Sequence, residues 1–219
     1  MRYQVNSQTD TRSRVMDSEA RKVLTNTYWL LGMTLAFSGL AAFFAMSTGL
    51  TMHPIIFLVG AYGLMFLTHK LSNSGWGLVS VFAFTGFMGL SLGPIISAYL
   101  GAGMGDVVTT ALSMTALVFF GLSAVALITK KDFSFLGKFL MIGFFVLLGG
   151  MIASFFISGL HLVISAGFVI FASAAILFET SQIVHGGQRN YILATISLFV
   201  AIYNLFLSLL TLLGMGSND

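Results

Sequence analysis

Glu179 is the residue best placed to do chemistry, because it is the one carboxylate set well inside a long apolar run. If that run is a membrane helix, a rise of about 1.5 Å per residue puts Glu179 roughly 9 Å from its nearer end. A carboxylate at that depth is costly. It must be paired, protonated or facing water, and such acids in membranes are functional by default. Ala172, Ala175 and Gln182 fall at i−7, i−4 and i+3 from it, so its face is small and polar and should look into a helix bundle. Two readings stay open: an ion- or proton-linked site, or an interfacial acid that reaches the headgroups or pairs with Lys138. A second polar line runs through Ser197, Ala201, Asn204, Ser208 and Thr211, at i, i+4, i+7, i+11 and i+14. It reads either as hydrogen-bond glue between helices or as a hydrated path. The candidate ion- or proton-linked residues are therefore Glu179, Gln182, Ser197 and Asn204.

Other chemistries find less support. Gly103-Met104-Gly105-Asp106 matches the Gly-x-Gly-Asp pattern of intramembrane aspartyl proteases, but that chemistry needs two carboxyl groups close enough to share a proton. Asp106 and Glu179 should lie some 20 Å apart from helix rise alone, so a turn with Asp106 capping the next helix is the plainer reading. His53, His69, His161 and His185 all sit near the ends of apolar runs, two at each side of the membrane, which argues against a shared metal site. There are no cysteines, hence no disulfides, thiolate metal sites or cysteine nucleophile. No His-Glu-x-x-His, phosphate-binding loop or Ser–His–Asp pattern occurs, and no cofactor is expected.

The elements that must hold these residues follow from composition. Of the 219 residues 57% are hydrophobic and 8% charged, against about a quarter charged in soluble domains. A bilayer accommodates so apolar a chain. Its net charge of +3 gathers into no basic stripe, so nucleic acid is not an expected partner. A membrane helix takes about 20 apolar residues. Seven runs qualify: 26–46, 53–68, 77–99, 107–129, 135–157, 161–184 and 191–214, the second being the shortest. The fold expected is an all-α bundle of seven transmembrane helices with no soluble domain. Residues 1–25 form a polar tail of low apolar content, expected to lack structure, and 215–219 a short tail at the other end.

Charge decides orientation. Arg2, Arg12, Arg14, Arg21, Lys22, Lys70, Lys130, Lys131, Lys138 and Arg189 all fall on one side of a seven-span layout. The opposite loops, around 49–52, 101–106 and 158–159, carry none. The positive-inside rule puts the N-terminus in the cytoplasm and the C-terminus outside. Tyr28, Trp29, Trp76 and Tyr191 mark the inner boundary and Tyr99 the outer one. Within the third span Gly86, Gly89 and Gly93 share a face at i, i+3 and i+7, which suits close helix packing, and Pro94 after them should bend the helix.

The chain also resembles the Bax inhibitor-1 family, in the bacterial branch that modulates the FtsH protease. The resemblance rests on Arg21-Lys22-Val23-Leu24-Thr25-Asn26-Thr27-Tyr28, Phe82-Ala83-Phe84-Thr85-Gly86, Leu92-Gly93-Pro94-Ile95 and Lys131-Asp132-Phe133-Ser134-Phe135-Leu136-Gly137. Further along it rests on Ile176-Leu177-Phe178-Glu179-Thr180-Ser181, Asn190-Tyr191-Ile192 and Tyr203-Asn204-Leu205-Phe206. It implies a bundle with the last helix at its centre, in the bacterial inner membrane. The implied role is that of a non-enzymatic regulator that binds FtsH and restrains its proteolysis of membrane proteins. Other family members conduct calcium through a pore gated by two acidic residues on the last two helices. Glu179 occupies the first of those positions, and Ala201 stands at the second. The resemblance thus implies at most a weak cation interaction here, with a pH-sensitive cation leak as the alternative function.

Overall fold

The structure is a computed structural model that describes residues 3–154, 156–157 and 159–216, with side chains from residue 18 onward. Among the described residues it contains seven α-helices and no strand: α1 Tyr3–Thr48, α2 Pro54–Leu71, α3 Trp76–Gly101, α4 Gly105–Thr129, α5 Leu136–Ala153, α6 Leu160–Val184 and α7 Tyr191–Gly216. All seven contain a stretch long and apolar enough to cross a membrane. Trp29, Phe43, Phe66 and Trp76 are each at least 68% exposed, a surface that lipid tolerates and water does not. The protein is therefore an all-α, multi-pass membrane protein.

The helices start and stop for local reasons. Pro54 opens α2 at a position where its missing N–H costs nothing, and the His53 ring accepts the Ile55 N–H at 3.3 Å. Left-handed Gly49 and Gly103 turn the chain after α1 and α3, where an L side chain would be strained. At Pro94 α3 runs on without interruption.

Three boundaries differ from the sequence expectations. The α1 helix begins at Tyr3, so residues 3–25 are helical and continuous with the helix of the first span, which itself runs Ser18–Thr48. No glycine or proline occurs between residues 3 and 31. Once the membrane nucleates the helix, each added residue gains a hydrogen bond at little cost. α2 runs to Leu71, a turn beyond the apolar run. α5 stops at Ala153, short of 157, although the apolar run continues. Gly149 and Gly150 weaken the helix there, and the Ser154 hydroxyl bonds back to the Met151 carbonyl. The expected outer loop at 158–159 and tail at 215–219 lie partly outside the described residues.

Burial orders the bundle. Of the α7 span 61% is buried, against 6% for α2 or α5. α7 packs on α1, α2, α3, α4 and α6. Its Leu198, Phe199 and Leu205 meet Leu30 and Leu31 of α1, Val81 and Phe84 of α3 and Ile176 of α6 in one apolar core, with the Phe84 and Phe199 rings edge to face at 6.1 Å. α1 and α3 make the most extensive pair. The three glycines of α3 lie against α1: a Cβ on Gly86 would strike the Phe37 ring, one on Gly89 the Ser38 backbone, and one on Gly93 the Ala45 Cβ and the Ala42 carbonyl.

Candidate functional site

The polar residues that α6 and α7 direct inward define the candidate site. On α6, Ala172, Ile176, Thr180 and Ile183 are buried. They repeat every three to four residues, so this side of the helix faces the bundle. Glu179 sits on the border of that face, half-buried. Its carboxyl group lies on the side of α6 toward the Ser197 hydroxyl of α7. Of the four residues singled out from sequence, the structure brings these two together.

The other two are occupied elsewhere. Gln182, one turn nearer the helix end, donates from Nε2 to the Ser134 hydroxyl at 3.3 Å and so serves the α4–α5 loop. Asn204 donates from Nδ2 to the Val200 carbonyl at 2.9 Å, a bond within its own helix. Thr211 likewise bonds back to Leu207 at 2.9 Å. Asp106 lies in the first turn of α4 at the far end. Met104, and not Asp106, holds the capping position, with no side-chain bond. Its carboxylate still faces the positive end of the helix dipole. Among the described residues neither Lys138 nor any other cation pairs with Glu179. The site is thus a lone carboxylate facing a serine, with buried Ala201 one turn further along α7.

Several residues that sequence reasoning passed over hold the basic end of the bundle together. The Ser181 hydroxyl accepts the Phe133 N–H at 3.0 Å. The His185 ring spans the Ser181 carbonyl at 2.9 Å and the Lys130 carbonyl at 3.0 Å. These bonds clamp the α4–α5 loop to the last turn of α6. Within that loop Asp132 accepts the Ser134 hydroxyl and N–H, which hold its carboxyl below the usual carboxylate range. Asn190 caps α7 by accepting the Ile192 N–H at 2.9 Å. Its amide donates to the Ser72 carbonyl at 3.1 Å and to Asn73 at 2.9 Å, which ties in the α2–α3 loop. Glu19 and Arg189 pair at 3.6 Å across the same end, both exposed, so the pair adds little stability. Deeper in the bundle the Tyr203 and Ser91 hydroxyls bond at 2.8 Å and join α7 to α3. Asn190 was open to detection, since an Asn just before an apolar run is a helix-start signal. The partners of Ser181 and Tyr203 lie too far off in the chain for any local pattern.

Comparison with known proteins adds what the geometry leaves open. Residues 20–218 match the family model described as "Inhibitor of apoptosis-promoting Bax1". The chain is 57% identical over 203 residues to the "Modulator of FtsH protease YccA" of Escherichia coli K12, which covers 90% of this chain and 92% of the relative. The same figures relate it to the "Inner membrane protein YccA" of Escherichia coli O6:H1. It is 58% identical over 222 residues to an uncharacterized protein of Pseudomonas aeruginosa, covering 99% of this chain and 97% of that one.

Proposed function

The chain belongs to the Bax inhibitor-1 family of membrane proteins, and we propose that within it this protein is a non-enzymatic regulator that binds the FtsH protease of the bacterial inner membrane and restrains its degradation of membrane proteins. The single observation that carries this reading is the near full-length likeness to a relative named for modulating that protease. Residues 1–25 supply a polar segment on the proposed cytoplasmic side, the kind of handle that an ATP-driven protease can engage. The bundle over 26–214 does the binding. The direct test is affinity purification of the full chain from membranes in mild detergent. FtsH should copurify, and raised levels of the chain should lengthen the half-lives of FtsH's membrane substrates. Purification without FtsH, together with unchanged substrate half-lives, would remove the proposal.

For orientation we infer an N-terminus in the cytoplasm and a C-terminus in the periplasm. The structure gathers the basic residues at one end: Arg189 beside Glu19, Lys130 beside His185, and the loop after Lys70 held to Asn190. At the other end His161 meets Met215, and Tyr99 packs on Gly214. Under the positive-inside rule the basic end is cytoplasmic. Reporter fusions at the two termini should therefore report opposite compartments, and a shared compartment would contradict both the orientation and the span count.

A cation leak is the second reading, favoured only by a half-buried carboxylate in the membrane interior. Its weakness is Ala201, which leaves Glu179 without a second carboxylate on α7.

A further inference from the structure

At the basic end of the bundle a cleft of about 440 Å³ opens between α1 and α4 over the end of α6. Both helices pack on α6 and α7, but among the described residues their backbones never approach one another. The gap is graded in polarity. Arg21 and Lys130 stand at its rim, exposed, and no carboxylate lines it among the described residues. One turn inward Leu24, Leu127 and Val184 replace them. Below these the Tyr28 and Phe119 rings meet at 5.8 Å, and the Tyr28 hydroxyl reaches Thr180 at 3.4 Å, which closes the floor.

The grading is built by two helix faces running in opposite directions. Arg21, Leu24 and Tyr28 follow i, i+3 and i+7 on α1, while Lys130, Leu127 and Ser123 follow i, i−3 and i−7 on α4. The Ser123 hydroxyl is buried and has no hydrogen-bond partner among the described residues.

The charges at the rim are uncommitted. Among the described residues neither Arg21 nor Lys130 has a carboxylate partner, since Glu19 pairs with Arg189 and Asp132 with Ser134. Lys130 also holds φ at +48°, a left-handed conformation that an L side chain seldom adopts. That conformation is the left-handed cap that ends α4. At the end of α4 the Ala126 carbonyl accepts the Lys130 N–H, and at the end of α6 the Ser181, Gln182 and Ile183 carbonyls accept the N–H groups of His185, Gly187 and Gly186. Height completes the description. The cleft lies where the apolar spans give way to charge, with Arg21 eight residues before exposed Trp29 on α1, toward the headgroup side of the span.

We propose that this cleft binds an anionic phospholipid, with its phosphate between Arg21 and Lys130 and its glycerol and first methylenes against Leu24, Leu127 and Val184. A guanidinium fork and an ammonium are the usual donors to phosphate oxygens. A soluble phosphate would use the rim and leave the apolar layer unused, whereas a lipid uses both. On the orientation proposed above this lipid belongs to the cytoplasmic leaflet, but the site itself does not depend on any action on FtsH.

The test uses the full chain in phosphatidylcholine vesicles, with trace spin-labelled phosphatidylglycerol or spin-labelled phosphatidylcholine. The fraction of each label that is motionally restricted measures its association with the protein. Each basic side chain at a membrane surface supports roughly a five-fold preference for anionic lipid. The unmodified protein should therefore favour phosphatidylglycerol by at least that factor. R21Q/K130Q should lose most of the preference. R21K/K130R, which keeps both charges, should retain it. K70Q/K138Q removes the same charge away from the cleft and should also retain it. Equal losses in the two neutralised proteins would mean a diffuse field and overturn the site, as would no preference at all in the unmodified protein. Full displacement of the labelled lipid by millimolar inorganic phosphate would assign the cleft to a soluble ligand and overturn the lipid.

Discussion

Gly89→Leu should prevent the bundle from assembling in detergent or lipid, and Gly89→Ala should already cost about 1–3 kcal/mol, the usual penalty for forcing atoms into a packed interface. The reason is what a side chain there would strike. A Cβ on Gly89 falls inside the contact distance of the Ser38 carbonyl oxygen, carbonyl carbon and Cα, all backbone atoms of α1. Backbone cannot rotate away, so the two helices must separate. They form the most extensive helix pair in the protein. In a bilayer their association depends on close packing, because lipid is as apolar as the side chains it would replace. Gly86 supplies the internal control. A Cβ there meets the edge of the Phe37 ring, which is 43% exposed and able to swing toward lipid. Gly86→Ala should therefore cost less than about 1 kcal/mol, near the range of tolerated changes. Unfolding of the three variants in mixed micelles, followed by far-UV circular dichroism, checks the order. A Gly89→Ala protein as stable as the unmodified one would contradict the packing described.

That contrast shows what can be read from sequence and what cannot. The spacing of Gly86, Gly89 and Gly93 marks a small face, but it does not say which helix lies against it or that Gly89 and Gly93 abut backbone while Gly86 meets a side chain. The seven spans are legible because a bilayer demands a fixed length of apolar helix whatever surrounds it. Their ends are less so. Hydropathy carries α5 past Ala153 because Phe156 and Ile157 are as apolar as the helix itself. It also gives no sign that α1 extends back to Tyr3, because the polar residues there form helix as readily as loop. The site divides the same way. Helical spacing places Glu179 and Gln182 on one side of α6, yet Gln182 is a turn nearer the end and its longer reach takes it to Ser134. The clamp of Ser181 and His185 on the α4–α5 loop joins residues 48 to 55 positions apart. A single sequence contains no local pattern for contacts of that kind.

Ala201→Asp should raise calcium flux through the reconstituted protein several-fold over a near-background rate. Calcium takes about six to eight oxygen ligands, several of them from carboxylates. The interior site offers one carboxylate, Glu179, with the Ser197 hydroxyl beside it. Asn204 cannot readily help, since its amide is bonded back to Val200. Ser197 and residue 201 are one turn apart on α7, so a carboxylate at 201 would project on the side that already meets Glu179. Two facing acids can share a proton or jointly hold a cation, and a single acid can do neither. Residue 201 is only 5% exposed, so an unpaired Asp could unseat α7 rather than open a path. Ala201→Asn separates these outcomes. It brings similar bulk and polarity without charge, and should leave flux at background. Calcium entry into dye-loaded liposomes gives the readout, with Glu179→Gln in the Ala201→Asp protein expected to restore background. The opposite result is equally plain. Robust flux through the unmodified protein, abolished by Glu179→Gln alone, would show that one carboxylate suffices and would put the cation leak ahead of protease regulation as the protein's function.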